Sequence, residues 1–443
     1  MRCLLVNPWI HDFSAYDLWA KPLGLLKIAA CLKQVKAEVS LIDCLDRFHP
    51  QFKKNLNYQP AENTSFGDGK YYSEAIKKPD IFKSIPRRYK RYGLPIELFK
   101  GLICREIPPD VILVTSAMTY WYPGVFETIK LLRERFGAIP IVLGGIYAQL
   151  CYKHAQKYSG ATLVYNGRDT TEIIKILCRL TSKKIEESGC TKAVFPAYEL
   201  YPDTPYITLR TSSGCPFKCS YCGWYLLEKN FRQENPDFII KNIEYFYKNH
   251  GVKNFAFYDE ALLYNAEGHI IIILENMLRK KILINFHTPN GMNIRFLTPK
   301  LARILKAAGF VKPRLGFDIL SLKKATGSEI KATQKEFLTA LKHLKNAGFI
   351  AKDVGVNLLI GRPNQDFIEI RRSIVFLSSL GVRIFLEEYS PIPNTPDYLS
   401  SGLPLDADPL LHNNSAFPLY RLEEHLKFQQ LKDLAHKSNN NIA

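Results

Sequence analysis

Short apolar runs alternate along this chain with segments whose apolar residues recur at three- and four-residue intervals. In the first 180 residues the runs at 2–6, 38–42, 111–115, 139–143 and 162–165 predict buried strands, and the segments around 25–33, 125–135 and 170–180 carry helical spacing. Strands alternating with helices predict a doubly wound parallel sheet of Rossmann or flavodoxin-like type over 1–180. Periodicity lapses between Asp46 and Pro109, where turn formers (Pro50, Pro60, Gly67, Gly69, Pro79, Pro86, Gly93, Pro95) predict an insertion at about 47–109. A polar stretch and then Pro196, Pro202 and Pro205 predict a linker over 181–205. A second alternation follows, with strands at 206–211, 254–258, 282–287, 314–317, 354–360 and 383–389. The segments 238–248, 268–279, 299–308, 334–346 and 366–380 are helical. Six β/α repeats over 206–400 predict an open, partial (β/α)6 barrel with its chemistry at the carboxyl ends of the strands. An amphipathic helix at 419–434 predicts a helical extension over 401–443, packed on the barrel or on a partner.

With 443 residues there is room for two or three domains, and 47% hydrophobic against 23% charged residues excludes disorder and low-complexity architecture. The net charge of +18 points to an anionic partner. Residues 50–105 carry 12 Lys and Arg against 5 Asp and Glu, among them Arg87, Arg88, Lys90 and Arg91, with Phe82, Tyr89 and Tyr92 interleaved. That pattern suits a nucleic-acid or anionic-ligand surface, or a solvated basic loop over the domain beneath. The longest aliphatic run, 270–274, is far short of the roughly 20 residues of a spanning helix, and Asn7 and Pro8 stop the apolar start at 1–6. A cytoplasmic protein is expected. Ten cysteines are too dilute for a disulfide scaffold, so their spacing becomes the question.

Directly after the first barrel strand stands Gly214-Cys215-Pro216-Phe217-Lys218-Cys219-Ser220-Tyr221-Cys222-Gly223. Three thiolates in one loop can hold a cubane iron-sulfur cluster and leave its fourth iron open to a small molecule. The alternatives are a tetrahedral zinc site completed by Cys190 or a histidine, or three unrelated core cysteines.

This triplet, with the aromatic Tyr221 before its last cysteine, resembles the signature of radical S-adenosylmethionine (radical SAM) enzymes. The resemblance continues through Phe257-Tyr258-Asp259-Glu260, Thr288-Pro289-Asn290-Gly291, Leu305 to Phe310, Leu359-Ile360-Gly361-Arg362-Pro363 and Tyr389 to Pro396. That order is similar to the branch with an N-terminal cobalamin-binding domain. It implies a [4Fe-4S] cluster on Cys215, Cys219 and Cys222, whose open iron binds S-adenosylmethionine and cleaves it to a 5′-deoxyadenosyl radical. It further implies that Tyr221 lies near the adenine, that Asp259 and Glu260 meet the cofactor's ammonium group, and that Asp318 falls where relatives carry a longer glutamate. An electron donor such as flavodoxin or ferredoxin and a small-molecule or anionic substrate are implied as well.

Asn7-Pro8-Trp9, Pro22-Leu23-Gly24, Asp43, Thr115 to Thr119, Gly144-Gly145 and Gly167 look like the cobalamin-binding half of that branch. The resemblance makes Leu23, Gly24, Ser116, Thr119, Gly144, Gly145 and Gly167 the cobalamin contacts, with Ser116 and Thr119 bonding the nucleotide loop. No Asp-x-His occurs, so the cobalt-ligating D-x-H-x-x-G motif is absent, as it is in related radical SAM enzymes that bind cobalamin without a histidine. His11 and His154 are the nearby histidines, and Tyr120 and Trp121 are candidates to cover the cobalt face. With both cofactors the most economical outcome is methyl transfer to an unactivated carbon, substrate and cofactors converging between the two domains. A cyclase or rearrangement enzyme would use the same parts. A methylthiotransferase acting on RNA would need a second cysteine set, and Cys3, Cys31, Cys44, Cys104, Cys151 and Cys178 show no close pairing. A non-catalytic cluster-bearing nucleic-acid binder is the reading from another class.

Overall fold

Every residue of Val111–Val114 is buried, as in a strand covered by helices on both faces. In the computed structural model, which describes residues 1–54, 64–183, 194–317, 333–417 and 422–442, this strand is the middle of a five-stranded parallel sheet. The chain divides into two units, residues 1–204 with 408–413 and residues 205–407 with 414–443.

The first unit runs β1 (Arg2–Asn7), α1 (Leu23–Gln34), β2 (Glu38–Asp43), α2 (Ile96–Arg105), β3 (Val111–Val114), α3 (Tyr122–Phe136), β4 (Ile141–Leu143), β5 (Leu163–Val164) and α4 (Thr170–Thr181). The sheet order is β5-β4-β3-β1-β2, so chain direction across the sheet reverses between β1 and β3. Open sheets of this kind take ligands beyond the carboxyl ends of the strands at that reversal. Leu4, Val6, Ile112, Val114 and Leu143 pack one face, and Cys3, Leu5, Val111, Leu113 and Val142 the other.

The segment expected as an insertion is shorter and more ordered than its composition suggests. Its last part is the crossover helix α2, and Lys90–Tyr92 pairs antiparallel with both Ile10–Asp12 and Ser73–Ala75. Phe82, Tyr89 and Tyr92 are buried, so they form core and offer no face to a base. Part of the basic charge is internal too. Arg91 bridges Glu74 and Glu127, Arg47 lies 3.0 Å from Asp17, and Lys21 lies 3.3 Å from Asp46. The end of the expected linker is also packed: Ala197, Tyr198 and Tyr201 are buried, and the Tyr201 hydroxyl donates to Asp43 at 2.6 Å.

The second unit carries β6 (Tyr206–Leu209), α5 (Pro236–His250), β7 (Asn254–Phe257), α6 (Ile270–Arg279), β8 (Asn285–His287), α7 (Pro299–Ala307), β9 (Arg314–Phe317), α8 (Gln334–Asn346), β10 (Gly355–Ile360), α9 (Phe367–Ser379), β11 (Arg383–Glu388) and α10 (Leu422–Asn440). β6, β7 and β8 pair in parallel, as do β9, β10 and β11, with β6 and β11 as end strands. Local chemistry sets the helix starts. Asn235 before Pro236, Thr298 before Pro299, and the Thr333/Glu336 capping box each satisfy first-turn amides. α10 lies against α9 through Phe367 and Phe428, and the Asn439 amide both donates to and accepts from the backbone of Ile384 on the edge strand, each at 2.8 Å. No described helix is long and apolar enough to cross a membrane.

Candidate active site

The cysteine loop leaves β6 through a short antiparallel pairing of Ser212–Ser213 with Arg232–Gln233. Gly214 then turns with φ +71°, and a Cβ there would lie 2.4 Å from the Asn230 carbonyl oxygen, so only glycine fits the turn that delivers Cys215. Cys219 is buried and Cys215 and Cys222 are half-buried, with the Cys222 amide donating to the Cys219 carbonyl at 3.1 Å. Burial pushes the Cys215 thiol up to about 11; the Phe217 amide opposes this, and Cys222, Cys219 and Glu260 add to it. Cys215 therefore lies within electrostatic reach of Cys219, Cys222 and Glu260. Among the described residues no three Cys, His, Asp or Glu side chains converge on a single-ion site. Three cysteines in one loop suffice for a cubane, which gives each of them its own iron.

Two acidic residues follow β7 and behave differently. Asp259 is buried and accepts from the Thr211 amide (3.0 and 3.2 Å), the Thr211 hydroxyl (2.9 Å) and the Ser212 hydroxyl (2.5 Å). Burial still raises its carboxyl pKa, against the pull of those donors. These bonds anchor the residues just before Gly214, most of them through Oδ1. Glu260 is the open one. Its side chain is 4% exposed, one oxygen lies 3.1 Å from the Arg210 guanidinium, and the other has no hydrogen-bond partner. Burial pushes it up to about 7, with Arg210 opposing and Asp259 adding. Arg210 in turn lies over the Trp224 ring at 4.7 Å. Neither Arg210 nor Trp224 was singled out from sequence, although a lone arginine ending the apolar strand Tyr206–Leu209 is a readable signal.

Tyr221 lies under the Arg362 guanidinium at 4.9 Å. Asp318 lies outside the described residues. The other quoted motifs, from Thr288 to Gly291, Gly361 to Pro363 and Tyr389 to Pro396, all follow strands of the same unit at their carboxyl ends.

In the first unit, Ser116 and Thr119 are buried and their hydroxyls are engaged. Ser116 donates to the Gly144 carbonyl at 2.6 Å, and Thr119 meets the His412 ring at 3.1 Å. Gly145 has φ +95° and its Cβ would lie 2.2 Å from the Ser116 carbonyl oxygen, so the loops after β3 and β4 touch there through backbone. Leu23 and Gly167 are half-buried and Gly24 is exposed, with nothing within 4 Å of an added Cβ. Beyond β3 the exposed residues are Ala117 and Met118. Small and apolar residues therefore stand at the reversal point. His11 stands 3.0 Å from Glu127 and His154 is 2.7 Å from the Tyr147 hydroxyl. Tyr120 is buried, and the Trp121 indole donates to Asp12 at 2.7 Å.

The radical SAM superfamily model matches residues 209–377. An uncharacterized methyltransferase of Pyrococcus horikoshii is 24% identical over 86% of this chain and 79% of its own length. The anaerobic magnesium-protoporphyrin IX monomethyl ester cyclase of Cereibacter sphaeroides is 22% identical over 59% of this chain, which spans about half (48%) of that protein. Among solved structures, the radical S-adenosylmethionine methyltransferase TsrM of Kitasatospora setae, with tryptophan and a SAM analog bound, superimposes with a TM-score of 0.63 at 14% identity. That match covers 90% of this chain and 75% of the other. A second structure of that enzyme, with cobalamin and a [4Fe-4S] cluster, gives 0.60 at 14% identity over 89% and 73%.

Proposed function

We propose, from the match of residues 209–377 to the radical SAM superfamily model, that this chain cleaves S-adenosylmethionine reductively at a [4Fe-4S] cluster and uses cobalamin to methylate an unactivated carbon. Cys215, Cys219 and Cys222 hold the cluster. When bound, the cluster supplies one electron to the sulfonium and the corrin supplies a methyl carrier. Glu260 receives the ammonium group of S-adenosylmethionine, for which a carboxylate with one uncommitted oxygen is suited. Tyr221 flanks the adenine. Leu23, Gly24, Gly144, Gly145 and Gly167 line the corrin site, in a binding domain over 1–180 that precedes the 206–400 barrel and the 401–443 extension. The observation that carries the reading is the C-x3-C-x2-C loop at the carboxyl end of β6, beside a buried glutamate with a free oxygen.

The likeness to the magnesium-protoporphyrin cyclase supports a second outcome with the same cofactors, ring formation without methyl transfer. Two measurements separate the readings. Protein produced with cobalamin and then extracted should release near-stoichiometric corrin, and turnover with methyl-labelled S-adenosylmethionine should place the label in product. Corrin without label transfer would favour the cyclase reading. Neither corrin nor 5′-deoxyadenosine from well-folded, cluster-loaded protein would overturn both.

A further inference from the structure

Arg362 follows β10 and Asp397 follows β11, and both reach the cysteine loop. The Arg362 guanidinium donates to Asp397 at 2.8 and 3.3 Å and to the Ser220 hydroxyl at 2.8 Å, while its plane covers Tyr221 at 4.9 Å. Asp397 fastens the same turn through its backbone, its amide donating to the Ser220 carbonyl at 3.1 Å. Its position is itself prescribed. Asn394 adopts φ +67°, Thr395 caps the short helix Pro396–Leu399 by accepting from the Tyr398 amide, and Pro396 takes the first helical position. One residue after the third cysteine, a Cβ on Gly223 would lie 2.7 Å from Ile392 Cγ2, so the segment after β11 also closes over that end of the loop.

We infer that Arg362 and Asp397 are positioning residues that clamp the turn between the second and third cysteines and set the reduction potential of the cluster there; this rests on the reading of Cys215, Cys219 and Cys222 as its ligands. The side chains are 19% and 12% exposed, so their charges act at short range through little water. A cluster's potential follows the local charge and its exposure to solvent. With both residues present the charges offset. Removing the cation leaves Asp397 uncompensated and disfavours the reduced, more negative cluster. Removing the anion does the reverse.

The test uses the anaerobically reconstituted full chain as wild type, R362Q, R362K and D397N, with circular dichroism to confirm folding. Iron content and the midpoint potential followed by EPR are the readouts. We expect a lower potential in R362Q, a higher one in D397N, and a value near wild type in R362K, which keeps the charge. Loss of iron in folded R362Q with retention in R362K also supports the clamp. Unchanged potentials, or shifts of the same sign in R362Q and D397N, overturn it while leaving the cluster reading intact. A wild type that assembles no [4Fe-4S] cluster overturns the cluster reading and the inference together.

Discussion

Asp259 and Glu260 are neighbours in sequence with separate tasks, and substitution separates them. D259A strips the acceptor from Thr211 and Ser212 and should cost on the order of 3 kcal/mol while lowering iron content, because the turn before Gly214 loses its anchor. E260Q keeps the shape and should leave iron content unchanged while weakening S-adenosylmethionine binding about tenfold, as seen by equilibrium dialysis on cluster-loaded protein. His412 makes a pH-dependent contribution. Burial, with the charge of His154, pushes its pKa down to about 4 from 6.5, so the folded first unit holds it neutral. The unfolded chain takes up a proton below pH 6.5 that the folded chain refuses until about 4. Stability from this residue is therefore complete above pH 6.5 and falls by about 3 kcal/mol as pH drops toward 4. Denaturant unfolding of wild type and H412N across that window should show a slope in wild type that the variant lacks.

The loops of the parallel sheet carry their constraints in backbone. At Gly145 an added Cβ meets the Ser116 carbonyl oxygen at 2.2 Å, and φ is +95°. G145A should destabilise the protein by about 2 kcal/mol and reduce corrin retention, measured by thermal unfolding and corrin extraction. Strands and helices were legible because burial on both sheet faces writes unbroken apolar runs such as Val111–Val114, and amphipathic helices write a 3.6-residue period. α2 was hidden because it follows a long turn-rich stretch without pause. Phe82, Tyr89 and Tyr92 misled for a related reason: composition cannot tell an aromatic facing solvent from one packed on Phe13. In the site, the cysteine triplet was legible as a local motif. The partners that hold it, Arg362 and Asp397, are separated from Ser220 by long stretches of chain, and only the fold brings them together.

At the scale of the whole chain, residues 408–413 belong to the first unit although they follow the barrel in sequence. Asp408 accepts from the Tyr122 hydroxyl at 3.1 Å, and the Asn413 amide donates to the buried Asp12 at 2.8 Å. A fragment ending at residue 205 should be less stable than the first unit in the full chain, and N413A should cost the full chain about 2 kcal/mol, because a buried carboxylate loses a donor. Equal stability of N413A and wild type in denaturant unfolding would show that the contact contributes nothing. Above these details stands the claim that three thiols hold a cluster with one iron open to S-adenosylmethionine. The most direct measurement is the EPR spectrum of the reduced, reconstituted protein with and without S-adenosylmethionine, alongside C219A. A [4Fe-4S] signal in wild type that changes on addition, and that C219A lacks, is the expected result. A wild-type signal indifferent to S-adenosylmethionine, or a C219A spectrum identical to wild type, would contradict it.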